Sequence, residues 1–311
     1  MSRSLTLIGM LVVGLVIGLV AGYAIYAPTG QKPSTTPTVT STVTSIATST
    51  TTVTATKTLK ETTTMTTTVT KTVSGAGYKE EYDVKLAYSE KYGFYLVDSK
   101  GRTLYFFAKD YNGSSACYGA CAEKWPVFYV ENPKIGPGLN PKDFGVITRR
   151  DGSKQLTYRG WPLYYFAGDK KPGDINGDGV KGVWFVAKPD YTVMVAVKPG
   201  LGAYLVDSRG MSLYFFAKDK EGVSNCYGHC AENWPPFEPT RLVVPSILNL
   251  TDFSFTKRSD GGVQLVYKGY PLYYWVNDEK RGDTTGHGVK NVWSIAFVEG
   301  AKFSSYSSYS P

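Results

Sequence analysis

The sequence predicts an all-β ectodomain made of two tandem small modules, each a sandwich- or barrel-like pair of pseudo-symmetric half-repeats. Three observations predict it. The segment GFYLVDSKGRTLYFFAKD that opens at Gly93 returns as GAYLVDSRGMSLYFFAKD at Gly202, 109 residues on, and Cys117, Trp125, Tyr164 and Trp184 recur at the same interval as Cys226, Trp234, Tyr273 and Trp293. A weaker repeat of 59 residues lies inside each copy and carries Leu104, Tyr105, Phe107, Asp110 and Trp125 onto Leu163, Tyr164, Phe166, Asp169 and Trp184. The repeated segments are short aromatic and β-branched runs with turn residues between them, and no stretch sustains a helical apolar period. At most one helical turn is expected around each cysteine pair.

Residues 1–27 read as a membrane anchor. Leu5–Ala27 contains no charged residue and exceeds the roughly 20 residues that span a bilayer. It is also longer than the apolar core of a cleaved signal peptide, and Pro28 disfavours cleavage after Ala27. Arg3 precedes the span, so the positive-inside rule places the short N-terminus in the cytoplasm and everything after Tyr26 outside. The expectation is a single-pass cell-membrane protein with extracellular C-terminal modules. Residues 28–77 are almost entirely Thr, Ser, Val and Pro. They have little to bury, so they should stay extended, as an O-glycosylated stalk or an unmodified flexible linker, in either case a spacer that reaches on the order of 100 Å at a polyproline rise. Module 1 is expected over 78–188, module 2 over 189–298, and a low-complexity tail over 299–311. The net charge of +8 is scattered among acids without a basic run, which argues against a nucleic-acid partner.

Each half-module reads as β structure. FYLVD and RTLYFFA flank a Ser-Lys-Gly turn, and TRRDGSKQLTY and TKRSDGGVQLVY each carry an Asp-Gly between strand-like runs, a strong hairpin signal. In LYFFA, Leu104 and Phe106 face one way while Tyr105 and Phe107 face the other, so this strand should be buried on both sides. VKGVWFVA and VKNVWSIAFV are the closing strands.

The pattern Y-x-[FWY]-x-x-D occurs four times: Tyr105, Phe107, Asp110; Tyr164, Phe166, Asp169; Tyr214, Phe216, Asp219; and Tyr273, Trp275, Asp278. With C-x3-C, a following Trp-Pro and DG-x-x-Q-x-x-Y-x-G-x-P-L-Y-Y, it resembles the secreted repeat family of predicted lipoproteins over nearly all of residues 93–297. The family is described as being of unknown function, so the resemblance implies no ligand. This chain departs from it in having an apolar span where a lipid-modified cysteine would stand.

Cys117 and Cys121, and Cys226 and Cys230, are the only cysteines. An extracellular setting and matched placement favour one local disulfide per module, a closure of roughly 2 kcal/mol by the chain-entropy estimate. The sharper alternative is a redox or copper site, because thiolates select Cu(I). A third ligand would be His229, or else His287, but module 1 has Ala120 and Asp178 at those positions. A site essential to the module should occur in both copies, so no metal or cofactor is expected. Covalent haem is disfavoured because no C-x-x-C-H occurs.

Asp174, Asn176 and Asp178 match the start of a calcium loop, yet Phe185 stands where a bidentate Glu is needed and module 2 lacks the pattern. A glycine-rich turn is the expected reading. The four motif aspartates end aromatic strands and are expected to cap turns. No acid–base or nucleophile set repeats between the copies, so a non-enzymatic surface-binding or structural role is expected. Tyr118 and Tyr227 beside the cysteines, with Trp161 and Tyr270 in the hairpin turns, are the candidate ligand surface for an envelope glycan or a surface protein. Asn112 and Asn249 head N-glycosylation sequons.

Overall fold

The computed structural model describes residues 56–58, 64–66 and 81–300. The predicted anchor at Leu5–Ala27, most of the stalk and the tail from residue 301 lie outside them. No helix of the described residues is long and apolar enough to cross a membrane. The chain divides into two compact units, Met1–Gly77 and Tyr78–Pro311. In the first, β1 (Thr56–Thr58) pairs antiparallel with β2 (Thr64–Thr66). The sequence predicts only an extended stalk there; β-branched threonine suits the pleated backbone of such a pair.

The second unit is built twice from one set of parts. In module 1, β3 (Val84–Ser89) and β4 (Gly93–Asp98) form a hairpin, followed by β5 (Tyr105–Phe107) and the single-turn helix α1 (Ala120–Lys124). Strands β6 (Phe144–Thr148), β7 (Lys154–Tyr158) and β8 (Trp161–Pro162) make a three-stranded antiparallel sheet, and β9 (Trp184–Val186) returns to pair with β5. Module 2 repeats this with β10 (Val193–Lys198), β11 (Gly202–Asp207), β12 (Tyr214–Phe216), α2 (His229–Asn233), β13 (Phe253–Lys257), β14 (Val263–Tyr267), β15 (Tyr270–Pro271) and β16 (Trp293–Ile295).

Within each module the strands form small sheets joined through single bridges. The cause is strand length. β5 and β12 end after three residues, because the chain turns at Asp110 and Asp219. The pseudo-twofold lies between Tyr105 and Tyr164, which exchange both backbone hydrogen bonds at 2.8 and 2.9 Å. Tyr105 pairs on its other side with Val186, and Tyr164 with Val127. Each half therefore lends its closing segment to the strand of the other half.

The core of each module has two sides. On one, Val84, Leu96, Leu104, Phe128, Leu156 and Leu163 pack together. On the other, four rings form a column: Phe107 on Trp184 at 4.0 Å, Trp184 on Trp125 at 3.8 Å with nearly parallel planes, and Trp125 on Phe166 at 4.4 Å. Module 2 repeats it with Phe216, Trp293, Trp234 and Trp275, its two central rings 3.7 Å apart. The two central tryptophans of each column come from different halves. The column is so closely wrapped that a Cβ on Gly177 would lie 2.8 Å from the Trp125 and Tyr105 rings, and Gly286 repeats this against Trp234 and Tyr214. Only glycine fits there.

The two modules also share a core. Phe106, Ala108, Trp161 and Phe185 of module 1 lie in one cluster with Tyr191, Met194, Ala196 and Tyr204 of module 2. The outward face of LYFFA in module 1 is thus covered by the neighbouring module.

Removing the centre of the column should be costly. Trp184→Ala is expected to destabilise module 1 by about 3–5 kcal/mol, the range for deleting a buried large aromatic side chain. Urea unfolding followed by tryptophan fluorescence measures it, and a loss under about 1 kcal/mol would mean the column is not what holds the halves together.

Candidate functional site

The repeated motif assembles around crossed hydrogen bonds. The Tyr105 hydroxyl donates to Asp169 Oδ2 at 2.7 Å, and the Tyr164 hydroxyl donates to Asp110 Oδ2 at 2.7 Å. In module 2, Tyr273 donates to Asp219 at 2.8 Å and Tyr214 donates to Asp278. Each aspartate is thereby bonded to the tyrosine of the other half. Their second oxygens accept backbone N–H groups of Ala116, Asn176, Asn225 and Thr285 at 2.7–2.9 Å. Turn capping, the role predicted from sequence, accounts for one oxygen of each; the tyrosine accounts for the other. Burial pushes Asp110 up to about 7 and Asp219 up to about 6, although the tyrosine hydroxyls and backbone N–H groups pull the other way. Burial likewise raises the four tyrosines far above their usual range, so they remain neutral donors.

Beside this network the cysteines are bridged. Cys117–Cys121 and Cys226–Cys230 have Cα separations of 5.3 and 5.1 Å, and no described cysteine is free. The buried Arg149 guanidinium donates to Gln155 Oε1 at 2.8 Å, to the Cys117 carbonyl at 2.6 Å and to Ser115 Oγ. Ser115 in turn contacts the Tyr164 hydroxyl at 2.8 Å. Arg258, Gln264, Ser224 and Cys226 repeat the arrangement. Sequence reasoning missed these arginines. The available signal was their recurrence, with their serine and glutamine partners, at the 109-residue interval.

The ring of Tyr118 lies under the guanidinium groups of Arg149 and Arg150 at 4.4 and 3.9 Å, and its hydroxyl accepts the Arg150 N–H at 3.1 Å. Tyr227 covers Arg258 in the same way at 4.5 Å. Both tyrosines are half-buried and shield a buried cation. Tyr270 is half-buried and packs on Phe215 at 5.4 Å. Trp161 departs from the expected ligand surface. It is only 2 % exposed, because module 2 covers it: its indole N–H donates to the Ser208 carbonyl at 3.3 Å, and Arg281 lies 4.3 Å over its ring.

The other candidate ligands are dispersed. His229 is 97 % exposed with Nδ1 2.7 Å from Glu232, while His287 Nδ1 accepts the Ile295 N–H at 3.2 Å. Bridged sulfurs are not thiolates, and no cluster of three or more metal-ligating side chains occurs among the described residues. Asp174 and Asp178 of the calcium-like loop accept backbone N–H groups from Lys170, Lys171 and Val186, which makes the loop a capped turn. Asn112 and Asn249 are exposed, and each accepts from the backbone of its own sequon at 3.0 and 3.1 Å.

Side chains of both modules converge at their junction. Arg281 of module 2 reaches Trp161 and donates to the carbonyls of Tyr111 and Arg159 at 3.4 and 3.3 Å. Burial lowers it to about 10. Next to it a cleft of about 290 Å³ is walled by Arg159, Asp190, Asp207, Arg241 and Tyr274. Its module 2 wall repeats some residues of module 1, Asp207 and Tyr274 answering Asp98 and Tyr165, and changes others, Arg241 answering Asn132.

The profile of one family, described as a secreted repeat of unknown function, matches residues 87–129, 145–188, 195–238 and 254–296. The chain belongs to this secreted repeat family. Each matched segment covers one half-module, so the secreted repeat as a unit of sequence is half of the unit of folding. No curated protein and no solved structure matches the chain.

The raised carboxyls of this secreted repeat protein carry a pH signature. A carboxyl that titrates near 7 when folded, against 3.8 ordinarily, binds more protons in the folded state between those values, so stability falls as pH rises through that window. Thermal unfolding is therefore expected at higher temperature at about pH 5 than at about pH 8. The combined Asp110→Asn and Asp219→Asn variant should flatten the difference; an unchanged slope would place its origin elsewhere.

Proposed function

We propose that this is a membrane-anchored surface protein whose two modules form a rigid, non-enzymatic binding head, raised on the threonine-rich stalk toward an envelope glycan or a surface protein. One observation carries the reading. The repeated polar residues, Tyr105, Asp110, Arg149, Tyr164 and Asp169 with their module 2 counterparts, are bonded to one another inside the cores. What the modules repeat is scaffold. At the junction both modules contribute to an open cleft with aromatic and charged walls. Such a lining suits recognition of a polar partner.

The bridged cysteines support the same reading. Closed within five residues beside a buried arginine, they brace the loop that Asp110 and Asp219 cap. The apolar Leu5–Ala27 and the secreted character of the family support a tether with the head outside the cell.

The test is alkylation of the purified protein with and without prior reduction, read by intact mass, together with copper analysis. All four thiols should resist alkylation until reduced. Free alkylation, or copper near one equivalent per module, would replace this reading with a redox or metal-transfer role.

A further inference from the structure

The two modules answer each other position by position, and one corner is filled in the first and open in the second. In module 1, Asp98 caps its turn through Oδ1, which accepts the N–H groups of Lys100 and Arg102 at 2.9 and 2.8 Å. Its Oδ2 accepts the Tyr165 hydroxyl at 3.0 Å and Arg102 Nε at 2.7 Å. The Arg102 guanidinium also donates to the Tyr165 hydroxyl at 2.8 Å and lies 4.0 Å over the Tyr165 ring. A planar cation is thus clamped between a carboxylate, a phenol oxygen and an aromatic face. Beneath it Asp98 is only 3 % exposed.

Module 2 keeps the clamp. Asp207 Oδ1 accepts the N–H groups of Arg209 and Met211 at 2.9 Å each, and Asp207 Oδ2 accepts the Tyr274 hydroxyl at 3.1 Å. Tyr274 meets Phe237 edge-on at 5.5 Å, as Tyr165 meets Phe128 at 5.4 Å. The residue that answers Arg102 is Met211, which has no charge to give. Asp207 is half-buried instead of buried, and both it and Tyr274 wall the junction cleft.

Two arginine side chains of module 2 stand near this corner without a hydrogen bond to it: exposed Arg209 lies within electrostatic range of Tyr274, and Arg281, whose buried Nη2 has no hydrogen bond, lies within electrostatic range of Asp207. Arg281 is held by Trp161 and two module 1 carbonyls, and Arg159 pairs with Asp143 at 3.0 Å. Arg241 is exposed and makes no hydrogen bond or ion pair to Asp207. A second carboxylate, Asp190, also walls the cleft; its Oδ1 is buried without a hydrogen bond, and the Lys188 ammonium stands 3.7 Å away.

We propose that the Asp207–Tyr274 corner of the junction cleft binds a guanidinium group from outside the chain, in the pose that Arg102 adopts in module 1. The chemistry is specific. A guanidinium is flat enough to stack on the tyrosine while its fork reaches the carboxylate, whereas an ammonium can satisfy only one of these at a time. The group could come from free arginine or from an arginine side chain of a peptide. The proposal rests on reading the head as a binding module and names the ligand chemistry of that head.

The experiment is a calorimetric titration of the full-length protein with N-acetyl-arginine amide, with an Ala-Arg-Ala peptide, and with N-acetyl-lysine amide as control. The expected result is saturable binding of the arginine probes at one per chain, with the lysine probe weaker. Tighter binding of the tripeptide would assign the source to a protein partner, and equal binding would assign it to a free small molecule. Met211→Arg restores the internal occupant and should weaken binding about tenfold or more, the scale of one charge-assisted hydrogen bond. Arg102→Met opens the first corner and should raise the stoichiometry to two. Asp207→Asn keeps an oxygen for the turn and removes the charge, so it should also weaken binding if Met211→Arg fails to fold. No saturable binding by the parent protein, or undiminished binding by both module 2 variants, would overturn the proposal. Neither result would alter the thiol and copper measurements that test the binding-head reading itself.

Discussion

The architecture depends on a tyrosine in one half-repeat donating to an aspartate in the other. The spacing of the motif follows from this. Tyrosine and the aromatic two residues on share one face of a strand, so Tyr105 and Phe107 both meet the tryptophan column. The aspartate three residues further ends the strand, turns the chain through Ala116 and offers its remaining oxygen across the pseudo-twofold. A half-repeat alone would leave a tyrosine hydroxyl and one oxygen of its carboxyl without the partners they have here, at a cost of about 1–3 kcal/mol for each neutral group left buried and more for a charge.

The same constraint explains how so little regular structure makes a solid module. Three-residue strands provide few ladder hydrogen bonds, and the segment between β5 and β6 holds only α1 and a 3-10 turn at Pro141–Asp143. Order there comes from side chains. Arg149 ties the disulfide loop to Gln155 of the hairpin and to Ser115 under Tyr164. A guanidinium buried in this way carries a desolvation cost, which several hydrogen bonds and a covering tyrosine offset. The disulfide fixes the one stretch that the aspartate caps but no strand holds.

Much of this was legible in the sequence, and the remainder fails for identifiable reasons. The 109- and 59-residue intervals gave the duplication, and Asp-Gly gave the β6–β7 and β13–β14 hairpins. Alternation in LYFFA gave a strand buried on both faces. Sequence did not reveal that β5 pairs with β9, because no local pattern encodes a partner about eighty residues away. It predicted a cap at each aspartate but not the tyrosine that completes it. Arg149 and Arg258 look like surface charges beside a hairpin turn, and only three-dimensional placement shows them buried. Trp161 looks like an exposed loop aromatic for the opposite reason: what covers it is another module.

That last case bears on how the two copies came to differ. If the modules were independent beads, equivalent positions would have equivalent surroundings, and substitutions between the copies would scatter over the surface. Instead several coincide with the junction. Phe185, which packs beside Phe106 against module 2, is answered by the buried Ser294; Trp161 is answered by Tyr270, and Pro172 by Arg281, which latches onto that tryptophan. Met194 of module 2, packed in the shared core, is answered by Lys85, which donates to the Ser99 carbonyl in module 1. Each of these changes fits the side of the junction on which it lies. Met211, which answers Arg102, is the exception: it takes a hydrogen-bonding cation from Asp207, a wall of the cleft that the junction creates, and leaves it the longer-range charge of Arg281. A change that neither packs nor pairs, in a molecule whose other polar motif residues are so thoroughly bonded, is where the scaffold stops accounting for the sequence.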